Sequence, residues 1–197
     1  MNKSVFTTKY LVEMALLVAI ILLMAFTPIG YIKTAGLEIT LIVVPVAVGA
    51  VTLGPAAGAI LGGVFGITSF IQCFGMSAFG AMLLGINPFF TFLVCVPTRI
   101  LEGWLTGLIY HRLRKTKLPS DVSVTIASLC CPLLNTIFFM GALVTLFRST
   151  MQEKFGMAQV LPFIVMFVGV NGVIEAAVCF VVGAAVSVAL KRALRYA

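Results

Sequence analysis

The sequence predicts an all-α integral membrane protein with six transmembrane helices in one bundle. Hydrophobic residues make up 61% and charged residues only 10% of the 197 residues, and the mean hydropathy is +1.19. Soluble domains carry about 25% charged residues, so this surface is too apolar to face water. Apolar stretches long enough to cross a bilayer, about 20 residues each, recur along the chain. They leave no room for a soluble domain, so residues 1–197 are predicted to form a single membrane domain.

The apolar stretches are separated by short polar or proline-containing turns. Lys9 begins the first span, whose apolar run is too long for the core of a cleaved signal peptide. Gly54-Pro55 is predicted as the turn between the second and third spans. Asn87-Pro88 is typical of a helix N-cap followed by a first-turn proline. The predicted spans cover residues 9–26, 39–53, 56–74, 87–113, 122–147 and from 159 to a basic tail at 191, with loops at 27–38 and 75–85, the second of them re-entrant.

The lysine and arginine residues predict the orientation. Nine of them fall before the first span, after the fourth or after the sixth, whereas three fall on the opposite side. Because cytoplasmic loops are enriched in lysine and arginine, both termini are predicted to lie in the cytoplasm. The net charge is +7, but its placement at the ends of spans argues against nucleic-acid binding.

Small residues recur at four-residue intervals on two of the predicted spans. Gly58, Gly62 and Gly66 give the third span a groove in which a neighbouring backbone can approach closely. Ala15 and Ala19 form a similar small patch on the first span.

Polar residues from three different spans are predicted to meet near the middle of the membrane. Arg99, Asn135 and Asn171 lie 12 or 13 residues into the fourth, fifth and sixth spans, which is about 18 Å at 1.5 Å per residue. Glu102 and Glu175 lie about one turn further toward the cytoplasm. Polar groups at this depth are costly and tend to be functional. Two interpretations remain open: Arg99 pairs with a glutamate and fastens the bundle, or it contacts a ligand.

The outer half of the bundle offers further hydrogen-bonding side chains near several phenylalanines. Apolar walls with a few polar anchors are typical of a small-molecule pocket. The candidate residues at its mouth are Gln72, Asn87, Thr91 and Tyr31.

Missing motifs exclude several classes of function. The sequence has no Walker A loop, and no G-x-S-x-G or H-E-x-x-H motif, so we do not expect an enzyme. The five cysteines lack C-x-x-C spacing and His111 is the single histidine, so we expect neither a metal site nor a bound cofactor. No inverted repeat divides the spans into matching halves, which disfavours a self-contained secondary transporter.

Several of these features together resemble a known family. They are Ala15-x-x-x-Ala19, then Leu53-Gly54-Pro55 with the glycine-rich start of the third span, and Pro97-Thr98-Arg99 with Gly103. In a chain of this size and span count, they are similar to the substrate-binding S-component of energy-coupling factor (ECF) vitamin transporters.

The resemblance implies a multi-pass subunit of a prokaryotic plasma membrane. Such a subunit binds a water-soluble vitamin and joins a transmembrane coupling protein driven by two ATPases. Ala15 and Ala19 would dock on the coupling protein, and the loops Thr27–Glu38 and Gly75–Gly85 would act as gates.

The stretch Met24–Phe70 looks most like the pantothenate-specific members. Arg99 would then bind the pantothenate carboxylate, and Asn135 and Asn171 its hydroxyls and amide. The alternatives are another vitamin or precursor (riboflavin, pyridoxine, hydroxymethylpyrimidine or folate), a secondary transporter and, last, a membrane enzyme.

Overall fold

The computed structural model describes residues 7–34 and 37–147, together with Ala177. Within these ranges, four helices are long and apolar enough to cross a membrane, namely Thr8–Phe26, Pro55–Gln72, Pro88–Leu113 and Ser120–Leu146, which confirms the predicted class of helical membrane protein. Apart from Ala177, the sixth predicted span lies outside the described residues, and so do Asn171 and Glu175. The elements are α1 (Thr8–Phe26), β1 (Tyr31–Thr34), β2 (Leu37–Thr40), α2 (Val43–Thr52), α3 (Pro55–Gln72), α4 (Ala78–Ile86), α5 (Pro88–Leu113) and α6 (Ser120–Leu146).

Helix α1 buries one narrow face. The hydroxyl of Thr7 caps its N-terminus by accepting a hydrogen bond from the Tyr10 N–H at 3.3 Å. At helical spacing, Met14, Leu17, Ile21 and Ala25 form the buried stripe. The opposite face is exposed and includes the predicted alanine patch.

The segment after α1 is a β-hairpin, although the sequence predicted a loop over residues 27–38 and a second span from Ile39. Strands β1 and β2 are antiparallel, and Tyr31 is paired with Thr40 in the register. Both strands contain β-branched residues that favour this conformation, and their backbone hydrogen bonds are formed with each other rather than along a helix. The second helix therefore begins four residues later than predicted, at Val43.

Helix α2 lies at the centre of the bundle and has ten residues, most of them buried. Pro45 is its third residue. The N–H groups of a first turn have no partner inside the helix, so this proline removes no helical hydrogen bond. Helix α2 packs against α1 and α3 through buried side chains that include Ile42, Val46, Leu61 and Phe65.

The glycine repeat of α3 packs directly on the backbone of α5, as predicted. A Cβ atom added to Gly62 would overlap the carbonyl oxygen of Arg99, and one added to Gly58 would overlap that of Gly103. At Gly66 the same atom would lie 2.8 Å from the Cys95 carbonyl oxygen. Each four-residue step forward along α3 is thus matched by four residues backward along α5. The two antiparallel helices are held in backbone contact at three positions over about two turns.

The predicted re-entrant loop at residues 75–85 is wrong in part, because Ala78–Ile86 forms the short helix α4. The hydroxyl of Ser77 accepts a hydrogen bond from the Gly80 N–H at 3.2 Å and caps this helix. Serine is a strong N-cap residue, and Leu83 supplies the buried side of the helix. The three glycines in this stretch obscured both signals.

Candidate functional site

A buried arginine lies in the middle of α5, at the contact with α3. The side chain of Arg99 is only 6% exposed. The carbonyl oxygen of Arg99 lies against Gly62, and this backbone contact fixes the position of Arg99 relative to α3. The sequence had predicted a polar cluster at this depth, and the structure describes the part of that cluster formed by α5 and α6.

One side of the guanidinium is held by the protein. Its Nη1 donates to the carbonyl oxygens of Val94 at 2.9 Å and Cys95 at 3.4 Å, and to the hydroxyl of Thr98 at 3.3 Å. All three acceptors lie on α5 within five residues of Arg99. Helix α5 therefore fixes the arginine side chain with its own backbone.

The other edge of the guanidinium has no hydrogen-bond partner in the part of the chain that the structure describes. Nε is buried and makes no hydrogen bond, and every hydrogen bond of the Arg99 side chain comes from Nη1. Nε–H and one Nη2–H point in parallel, which is the geometry that receives both oxygens of a carboxylate. None of the described residues accepts a hydrogen bond from this donor pair, which is suited to a carboxylate and is called the open edge of Arg99 below.

The hydrogen bonds of the Arg99 side chain do not include Glu102, one of the two glutamates that the sequence offered as a partner. Glu102 is fully buried one turn further along α5, and its Oε1 accepts a hydrogen bond from the Cys131 Sγ at 3.2 Å. The second expected partner, Glu175, lies outside the described residues.

Two aromatic rings lie beside the arginine charge. The Cζ of Arg99 is 5.1 Å from the ring centroid of Phe65 on α3 and 4.7 Å from that of Phe139 on α6. Both distances are within the range of cation–π attraction. Neither phenylalanine stands out in the sequence as a site residue. The available signal was spacing: Phe65 follows Gly62 by three residues, and Phe139 follows Asn135 by four.

Asn135 belongs to the face of α6 that is turned toward these groups. Cys131, Asn135 and Phe139 are four residues apart and so share one helix face. Cys131 contacts Glu102 and Phe139 contacts Arg99, which places Asn135 between the two contacts along α6. Its side chain is 7% exposed. The prediction that Arg99 and Asn135 lie in one interior region agrees with this arrangement.

The residues predicted at the mouth of the pocket have partners of their own. Gln72 is buried, and its Nε2 donates to the carbonyl oxygen of Ala25 on α1. Asn87 caps α5, since its Oδ1 accepts from the N–H groups of Phe89 at 3.0 Å and Phe90 at 3.1 Å.

Two further residues complete that predicted set. Thr91 is fully buried and donates to the Asn87 carbonyl oxygen at 2.9 Å. Tyr31 lies in β1. Thr91 lies in the first turn of α5, whereas Arg99 lies about two turns further along this helix.

The chain belongs to the family of the ECF transporter, substrate-specific component, which it matches over residues 9–187. It is therefore a membrane-embedded transporter component and not an enzyme, as predicted. Among curated proteins it is similar to "Pantothenate transporter PanT" of Leuconostoc mesenteroides subsp. mesenteroides, with 34% identity over 115 residues. That alignment covers 56% of this chain and 54% of the relative, so the match spans about half the length of the curated relative.

Proposed function

We propose that this protein is the pantothenate-binding subunit of an ECF-type importer in a prokaryotic plasma membrane. The observation that carries the proposal is the open Nε–Nη2 edge of the buried Arg99. Pantothenate has one carboxylate, and the similarity to a pantothenate transporter supports it over the other vitamins.

A ligand carboxylate would complete the environment of Arg99. A buried charge without an opposite charge is costly, typically about 3–5 kcal/mol when one member of a pair is missing. The carbonyl oxygens on Nη1 and the two rings offset part of that cost in the described residues. A carboxylate on the open edge adds two charge-assisted hydrogen bonds, so binding energy is concentrated at this residue.

The amide and hydroxyl groups of pantothenate require neutral polar partners. Asn135 lies on the face of α6 next to the arginine, and its side chain can both donate and accept hydrogen bonds. Asn171 is proposed to act in the same way from the sixth span. Thr91, Asn87 and Tyr31 remain candidates for the outer part of the site, although the hydrogen bonds of the first two to backbone groups already give them structural roles. Gln72, which the sequence also predicted there, is proposed to act structurally, because its amide donates to the Ala25 carbonyl oxygen.

The proposed partners are a transmembrane coupling protein and two ATPase subunits, as the similarity to ECF transporter components implies; the sequence itself contains no Walker A loop. Ala15 and Ala19 are exposed on the face of α1 that turns away from its buried stripe. Two small residues one turn apart allow another helix to approach closely in lipid. We place the docking surface there, with both termini in the cytoplasm.

Calorimetry on the purified protein tests the ligand and the role of Arg99 together. We expect wild-type protein to bind pantothenate in preference to riboflavin, pyridoxine, hydroxymethylpyrimidine and folate. Arg99→Met should lower the pantothenate affinity at least about 100-fold, because about 3 kcal/mol corresponds to that factor. The matched control is Arg112→Met, at an exposed arginine near the end of the same helix, and should bind normally.

Two outcomes would contradict the proposal. Preference for one of the other vitamins would overturn the assignment of pantothenate. Unchanged affinity in Arg99→Met would overturn the carboxylate site.

A further inference from the structure

The charge of Arg99 is stabilised mainly by groups that do not occupy its open edge. Phe65 and Phe139 come from two different helices, and their ring centroids lie 5.1 and 4.7 Å from Cζ. An aromatic ring attracts a cation through the negative charge on its face. It has no lone pair in the position that an N–H donor in the guanidinium plane requires.

A carboxylate from the protein would have acted differently. It would stabilise the same charge, but it would use the donors that a ligand carboxylate needs. The described contacts separate the two tasks: carbonyl oxygens hold Nη1, the rings stabilise the charge, and Nε keeps its donor.

We propose that Phe65 and Phe139 are positioning residues that hold the guanidinium of Arg99 with its Nε–Nη2 edge open and so make the site select carboxylate ligands over uncharged analogues. This inference rests on the proposed function, because it assumes that Arg99 receives the ligand carboxylate. The rings act through Arg99 and need not touch the ligand.

Phe139 is the better residue to test. Phe65 is fully buried in the main core, so its replacement would leave a cavity and lower stability for reasons unrelated to the arginine. Phe139 is half-buried, and leucine at this position keeps most of the apolar volume. Phe138→Leu is the matched control, since Phe138 is the adjacent residue, is also half-buried and makes no cation–π contact with Arg99.

The experiment compares pantothenate with pantothenol, in which a primary alcohol replaces the carboxylate. We expect Phe139→Leu to lower the pantothenate affinity about tenfold, as the loss of one desolvated cation–π contact implies. The pantothenol affinity should change less than about threefold. Phe139→Tyr should restore the preference for pantothenate because it restores an aromatic ring, and Phe138→Leu should leave both affinities unchanged. In an Arg99→Met background, Phe139→Leu should have no further effect on pantothenate binding.

The possible results distinguish this inference from the proposed function. Equal losses for both ligands in Phe139→Leu would show that the ring only packs, and would overturn the inference alone. An unchanged preference for pantothenate in Arg99→Met would overturn the carboxylate role of Arg99 and the inference with it. Wild-type protein that does not bind pantothenate, or binds both ligands equally, would also overturn both.

Discussion

Gly62 of α3 lies against the backbone carbonyl of Arg99 on α5, with no room for a side chain between them. The residue that carries the charge of the proposed site is therefore positioned through its own main chain. Because Phe65 is three residues further along α3, the same contact also brings a ring to the guanidinium. At this point of the α3–α5 contact, the helix packing and the geometry of the site depend on the same glycine.

Gly62→Ala should lower the stability of the protein and weaken ligand binding. The added Cβ would overlap the Arg99 carbonyl oxygen, and overpacking of this kind costs about 1–3 kcal/mol. The adjacent Gly63→Ala is the matched control, because its Cβ would lie 3.5 Å from the Ile100 Cγ1, an ordinary contact. Thermal unfolding in detergent measures the stability of both variants. Equal melting temperatures for the two would contradict the close approach of α3 and α5.

Arg99→Met should abolish ligand-induced stabilisation while changing the stability of the ligand-free protein by about 1 kcal/mol or less. Arg99 has no carboxylate partner in the described residues, so methionine leaves no opposite charge unpaired there. The lost contacts with carbonyl oxygens and rings are offset by removal of a charge that is costly to bury. For the wild type, pantothenate at 100 times its dissociation constant should add about 2.7 kcal/mol. Melting curves with and without ligand give both quantities.

The double variant Arg99→Met with Glu102→Gln tests whether Arg99 and Glu102 form an ion pair. The Oε1 of Glu102 accepts from Cys131, and glutamine keeps an acceptor there, so the second change should restore neither stability nor binding. A strongly destabilised Arg99→Met that Glu102→Gln rescues would show that the two residues act as a pair.

Gln72→Leu should reduce stability without reducing ligand affinity. Its amide joins the end of α3 to the Ala25 carbonyl oxygen of α1, and an unsatisfied buried carbonyl costs about 1–3 kcal/mol. The affinity for pantothenate should stay within about threefold, a free-energy change below about 0.7 kcal/mol. A much larger loss of affinity at unchanged stability would instead support the role in ligand binding that the sequence predicted for Gln72.

Ala15→Trp combined with Ala19→Trp should abolish transport by the assembled complex and leave ligand binding to the isolated subunit intact. Both side chains are exposed on one face of α1, and tryptophan would prevent close helix–helix approach there. Ala56→Trp, at an exposed alanine of α3, controls for the added bulk. Uptake of labelled pantothenate by cells or proteoliposomes is the measurement. Normal uptake by the double variant would exclude this face as the docking surface.

The sequence was sufficient for those features that depend on local pattern. The apolar stretches predicted the long helices, the spacing of Gly58, Gly62 and Gly66 predicted a close helix contact, and Asn87-Pro88 predicted the start of α5. Depth along the helices also placed Arg99 and Asn135 in the interior.

The remaining features depend on tertiary contacts that no local pattern contains. The charges of Arg99 and Glu102 suggested an ion pair on one helix face, but Cys131 of another helix takes the Glu102 oxygen. The two rings beside the arginine come from positions 34 residues before it and 40 residues after it. Helix α4 was missed because three glycines outweighed the cap at Ser77, and the hairpin was missed because its strands are only four residues each.

The α3–α5 contact also determines which side of the proposed ligand site can adapt to a ligand. At Gly58, Gly62 and Gly66 main chain meets main chain, so no rotamers can change there and the two helices cannot repack by small steps. Asn135 and Phe139 reach the site on side chains of α6, which have torsional freedom. Shape changes on ligand entry and release should therefore occur on the α6 side, while α3 and α5 move together as one stiff unit.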